Sequence, residues 1–310
     1  MSQSTTYVRC PRCGNENKAD YFACTFCGKR LRIETIEKVP MFKRIEKEWY
    51  APYPFYLKIL YLIIKPNLAF WDINHKRTKS PGYLILLFSS LLYGLLGLGF
   101  LACFRIQNIG NAAAFMYGLG FYIVFFLFGL LYQALLFFFL TWIFTKGANI
   151  TVDFSDRLES RFETKEEEGK YREEDLSPFS IYKGGVLLQK QEAKKYKMLY
   201  CAFAPFLLTN GIKVIIVALF SAGISITVNP STTPIPNAVF TFLSTSWILP
   251  ILDIIDGLTI AIWIPMLITL GIRELSNSST TRVLLPSLVI GVIIAVLFYF
   301  IRPSILNLIL

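Results

Sequence analysis

The sequence predicts an all-α polytopic membrane protein, five transmembrane helices preceded by an interfacial helix, with a small zinc ribbon at the N-terminus. Three observations carry that class. Hydrophobic residues make up 54% of the chain and charged residues only 17%, and the apolar residues gather in blocks, the composition of a chain solvated by lipid. Five of those blocks reach the ~20 residues a helix needs to cross a bilayer. Ahead of them, Cys10, Cys13, Cys24 and Cys27 stand as two CxxC pairs.

The formal charge of +10 does not argue for nucleic acid, because the basic residues lie between the apolar blocks and serve membrane orientation better. MSQSTTYVRC has no apolar run with a cleavage site, so no signal peptide is expected and the first span acts as the insertion signal. Cys103 and Cys201 sit near or in apolar segments, and nothing reads as a disulfide framework.

Residues 1–32 form the expected zinc ribbon. Each CxxC turn, CPRCG and CTFCG, points two thiolates at one ion, and two turns complete a tetrahedral shell. Gly14 and Gly28 follow the second cysteine of each pair, where the chain folds back toward sulfur. All four ligands are cysteine, so no coordination position is open to a reacting water and the Zn2+ is expected to be structural. A core this small needs its metal to fold. Segment 9–31 resembles the short zinc ribbons found at the N-termini of many prokaryotic membrane proteins. Residues 33–54 are charged and mixed, read as a solvated linker or short helix with a docking surface as the alternative.

The membrane domain is expected over 55–310. Segment 55–73, FYLKILYLIIKPNLAFWDI, suits a helix in the interface, with Lys58 and Lys65 reaching headgroups and Phe70 and Trp71 at the boundary. The single histidine, His75, stands in the basic HKRTKSPG run and reads as interfacial. Spans are expected at about 83–104, 117–144, 199–220 with an extension to Val228 open, 247–270 and 283–301. Gly118, Gly120 and Gly129 offer close helix contact in the second.

Residues 1–82, 145–198 and 271–282 hold nearly all the lysines and arginines, so the N-terminus is expected in the cytoplasm and the C-terminus outside. An odd number of spans requires the same result. The charged insertion at 149–182, with its ETKEEEGKYREED centre, reads as a solvated hairpin or a mobile insertion. After it, Lys190, Lys194, Lys195 and Lys197 suit anionic headgroups. Gly184 and Gly185 lack the GK[ST] a nucleotide loop requires.

The layout resembles the Yip family of membrane proteins, named for interaction with Ypt/Rab small GTPases, in its prokaryotic form. The resemblance covers residues 57–301. It is carried by KPNLAFWDI before the first span, the KGG turn ahead of the third, AFAPFLLTN opening that third span, and WIPMLITLGIREL leading to the last. The DLYGP-type motif of eukaryotic members is missing. The resemblance implies a non-enzymatic protein that organises membrane and recruits cytosolic partners, with small GTPases as the candidate class. The implied membrane is the cell membrane in a prokaryote or an ER/Golgi-type endomembrane in a eukaryote. A second copy of the chain is a further candidate partner.

Polar residues inside the spans set a second function class, a small-solute or ion transporter built on Lys213, Asp253 and Asp256, with Gln133 and Asn210 as lesser members. Counted from Leu199 and Gly271 at 1.5 Å per residue, Lys213 lies about 21 Å and Asp256 about 22 Å along antiparallel helices. The two are expected to pair and lock helix register. A later start of the third span would instead let Lys213 snorkel to the surface. Catalysis is not expected: one histidine excludes a Ser/His/Asp set, and the aspartate pair of an intramembrane protease needs facing helices, whereas Asp253 and Asp256 share one.

Overall fold

The computed structural model describes residues 7–24, 26, 29–45, 53–75, 80–106, 110–154, 195–228, 238, 241–242 and 246–309, with the backbone alone for His75 and 301–309. Cys27, Gly28, the basic run 76–79, the loop 229–237 and the insertion from residue 155 through Gly184, Gly185, Lys190 and Lys194 lie outside the described residues, as does the side chain of His75.

Among the described residues, five helices are long and apolar enough to cross a membrane: α3 Gly82–Leu101, α4 Asn111–Val152, α5 Lys195–Gly223, α6 Ile248–Ser276 and the first part of α7, Thr280–Phe300. Two shorter helices, α1 Phe55–Ile64 and α2 Pro66–His75, precede them. The expected single interfacial helix is therefore two. Pro66 has no N–H to continue α1 and pushes the residue before it out of the helical region; Lys65 accordingly sits at φ −136°, ψ 64°.

At 42 residues, α4 runs about 63 Å, twice the ~30 Å of a hydrocarbon core. It continues through Val152, so a charged insertion cannot begin at residue 149. Along it Leu127, Phe128, Leu131, Leu135 and Phe138 face outward, a continuous apolar surface that only lipid solvates without penalty.

The third span does not extend as a helix to Val228. It ends at Gly223, Ile224 turns to extended backbone, and β4 (Ile226–Val228) pairs in parallel with β3 (Phe104–Ile106). In α6 a single wide π turn, Thr259–Trp263, precedes Pro265. Proline cannot donate and would press on the carbonyl one turn back, and the wider turn relieves both.

The chain divides into two compact units. The first gathers Met1–Gly82, Leu140–Ala202 and Pro265–Ile290. In it β1 (Tyr7–Arg9) and β2 (Glu16–Lys18) pair antiparallel, Tyr7 opposite Lys18 and Arg9 opposite Glu16. Residues 33–45, expected as a solvated linker or short helix, carry a 3-10 turn at Thr35–Lys38, and the side chains of Glu37, Phe42 and Arg44 are buried rather than solvated. Lys58 does not reach outward; it is buried with Nζ 3.2 Å from Asp72 Oδ2, because the break at Pro66 lets α2 return its acid to α1.

The second unit gathers Tyr83–Phe139, Phe203–Ile264 and Gly291–Leu310. Its core joins Tyr93, Leu96 and Phe100 of α3, Val217 of α5, and Ile248 and Leu252 of α6. Of the three glycines expected at helix contacts, Gly129 alone is tightly packed: a Cβ there would stand 2.5 Å from Tyr93 Cβ, whereas at Gly118 the nearest atom is 3.8 Å away and at Gly120 nothing lies within 4 Å. Gly94 of α3 provides the reciprocal gap, filled by Tyr122.

Candidate functional site

The thiol cluster is built from tight backbone turns. Cys10 N donates to Asn15 O at 2.9 Å and Gly14 N to Cys10 O at 3.0 Å, closing the first CxxC run on itself. Gly14 sits at φ +72°, which a residue with Cβ adopts only at a cost. Cys24 N donates to Lys29 O at 2.8 Å, starting the second turn.

The Sγ atoms of Cys10, Cys13 and Cys24 lie within 4.8 Å of one another, and Cys13 and Cys24 are 3.6 Å apart. Thiolates bound at ~2.3 Å to a tetrahedral zinc stand about 3.8 Å apart, so the triangle has the size of one face of such a shell. A disulfide requires ~2.05 Å. Buried Asn17 donates from Nδ2 to Cys24 Sγ at 3.5 Å and to Asn15 O at 2.9 Å, an outer contact of the kind that orients a thiolate ligand. Three close cysteines could thus hold a metal ion; Cys27 is outside the described residues.

The module and the segment after it grip the turn between α6 and α7. Asn277, at φ +52°, receives a hydrogen bond from Ala23 N at Oδ1 (2.9 Å) and donates from Nδ2 to Ala23 O. Arg44 Nη2 donates to Ser278 O at 2.5 Å. Glu34 accepts from Ser279 Oγ and from Thr280 N, the latter at 2.6 Å, so its carboxylate caps the first turn of α7, where a negative charge is favoured.

Beneath these contacts lies a buried charge network. Arg44 Nε meets Glu37 Oε1 at 2.7 Å, and Arg273, fully buried, donates to Phe42 O at 2.5 Å and to Glu274 Oε1 at 2.8 Å. Burial, then the nearby Arg273, pulls Arg44 below the ordinary arginine value, while Glu274 and Glu37 push it back. Asn67 Nδ2 donates to Pro40 O and Lys43 O at 3.1 and 3.0 Å. Asn74 Nδ2 donates to Glu274 O at 2.6 Å.

In the second unit, Lys213 Nζ donates to Asp256 Oδ1 at 2.7 Å, with side chains 2% and 12% exposed. Lys213 Nζ also stands 5.4 Å from the ring centre of Tyr93. Asp253, one turn away, is half-buried. Asn210 donates to Ser89 Oγ at 2.8 Å, and Ser90 Oγ to Gln133 Oε1 at 3.4 Å. Asn210 Oδ1 and Thr209 Oγ1 are buried without a hydrogen-bond partner among the described residues.

The structure therefore brings together Cys10, Cys13 and Cys24, and Lys213 with Asp256. Sequence reasoning missed Glu34, Glu37, Arg44, Asn67, Asp72 and Asn277. Asn67 and Asp72 carried a signal, being polar residues in an otherwise apolar interfacial stretch. Asn277 carried none, because the NSS turn it opens reads as an ordinary loop. Neither family models, nor curated proteins, nor solved structures give a match to this chain.

Proposed function

We propose that this chain is a non-enzymatic multi-pass membrane protein that recruits a cytosolic protein through its N-terminal module, as its resemblance to the Yip family implies, with small GTPases as the candidate class. The observation that carries the reading is on the module itself. Phe26, Ile33 and Tyr7 are 80%, 72% and 59% exposed, although the same stretch uses other atoms to grip the turn after α6. Apolar side chains displayed on a fixed platform are the means by which a docking surface gains affinity. In this reading the module is a zinc ribbon with Cys10, Cys13, Cys24 and Cys27 as ligands, and the ion is structural. The N-terminus is cytoplasmic: the first unit collects the same three stretches that loop charge assigns to the cytoplasm.

Capture from native cytosol by the whole protein in mild detergent tests it, with Phe26→Ser/Ile33→Ser and Cys10→Ser/Cys24→Ser run beside the parent. Loss of the captured protein in both variants, with the spans still inserted, is expected. Equal capture by all three would overturn the adaptor reading.

A transporter remains the second reading, favoured by one observation: Asn210 Oδ1 and Thr209 Oγ1 are buried and, among the described residues, unmatched about one turn from Lys213. Reconstituted vesicles should then show proton or solute flux that Asp256→Asn abolishes. Absence of flux across a broad panel removes this alternative.

A further inference from the structure

We infer that metal binding by the thiol module sets the conformation of the turn between the fourth and fifth candidate spans, Ser276–Thr280. The inference rests on the metal reading above and adds to it a second role for the ion.

Its physical basis is a short chain of contacts. Ala23 adjoins the ligand Cys24, and both of its backbone polar atoms are held by the Asn277 side chain. A two-point grip of this kind requires the Ala23 peptide planes in one orientation. The hairpin ladder sets that orientation, with Cys24 N donating to Lys29 O at 2.8 Å and Leu31 N to Phe22 O at 2.9 Å, and ligation of Cys24 holds the ladder together, since a hairpin this small has too little core to persist without it. Asn277 in turn occupies the left-handed region, a conformation that persists where surrounding contacts compensate its cost. The module also governs the second grip. Ala23 bridges to Arg30, Arg30 Nη2 donates to Arg44 O at 3.1 Å, and Arg44 and Glu34 hold Ser278, Ser279 and Thr280.

Loss of the ion removes the one atom that ties the two turns together and lets the ladder through Ala23 open. The Asn277 clamp then opens, Glu34 leaves the start of α7, and the turn relaxes. Linkage makes the effect reciprocal: whatever the ion does for the turn, the turn does for ion affinity, by the same factor.

The test uses the full chain in detergent with zinc as the probe. Amide hydrogen exchange is followed in peptides covering Ala23 and Thr280, with the ion bound, stripped by chelator, and restored. Stripping should raise exchange at Thr280 at least about fivefold, restoration should reverse it, and Asn277→Gly, which keeps φ accessible, should weaken zinc binding by a similar factor. Zinc bound at one per chain but without effect on Thr280 exchange, or unchanged zinc affinity in Asn277→Gly, would overturn the coupling while leaving the metal site standing. A chain that takes up no zinc at all would sink the metal reading, and the coupling with it.

Discussion

Neutralising Asp256 is the sharpest test of what holds the second unit together. Asp256→Asn keeps the shape of the side chain but removes the charge opposite Lys213, whose side chain is only 2% exposed. Removing one partner of a buried pair typically costs 3–5 kcal/mol, because the other charge is left uncompensated, and a lone lysine at membrane depth is penalised by about 3 kcal/mol on insertion scales. The ring of Tyr93, 5.4 Å from Lys213 Nζ, faces the ammonium in parent and variant alike, so it leaves this difference unchanged. A net loss near 3 kcal/mol follows, about a hundredfold shift in the folding equilibrium at 1.4 kcal/mol per decade.

The double variant Lys213→Met/Asp256→Leu removes both charges and should recover most of the loss, since well-packed apolar replacement of a buried pair is often neutral or better. Reversing the pair, Lys213→Asp with Asp256→Lys, should recover more than either single change. The assay is reversible unfolding of the full chain in mixed micelles, read by helical circular dichroism against denaturing detergent. A single Asp256→Asn variant as stable as the parent would refute the reasoning, as would double variants no better than the single ones.

Glu37→Gln should remove one of the two carboxylates, Glu37 and Glu274, that offset the repulsion of Arg44 by Arg273; a local loss of about 3 kcal/mol is expected, checked by protease sensitivity of residues 33–45 with the spans intact. Gly129→Ala forces a Cβ to within 2.5 Å of Tyr93 Cβ, which no side-chain rotation relieves. It should cost about 1–3 kcal/mol in the same unfolding assay, whereas Gly120→Ala, with open space around it, should be neutral or slightly stabilising.

The legible part of this protein is the part governed by local rules. A helix crosses a bilayer because a contiguous run is long and apolar, so the five candidate spans could be counted from the chain, with ends misplaced by several residues where α4 continues to Val152. The CxxC spacing likewise encodes its chemistry locally, since two thiols with two residues between them already point one way. The depth of Lys213 against Asp256 was legible as well, because helical rise is constant.

What the linear chain withholds is anything held by backbone atoms. Ala23, Phe42 and Ser278 take part in the docking of 7–45 through N–H and C=O groups that every residue type possesses, so no residue pattern announces it. The same holds for Lys58: periodicity places it on a helix face, but only the break at Pro66 brings Asp72 opposite it. The sequence by itself determined that the chain has five apolar helices and a cluster of thiols. The tertiary structure decided that residues 33–45 are a clasp rather than a solvated linker, and that the thiol module reaches the turn between α6 and α7 through Ala23, because hydrogen bonds between distant backbone groups form only once the chain has folded.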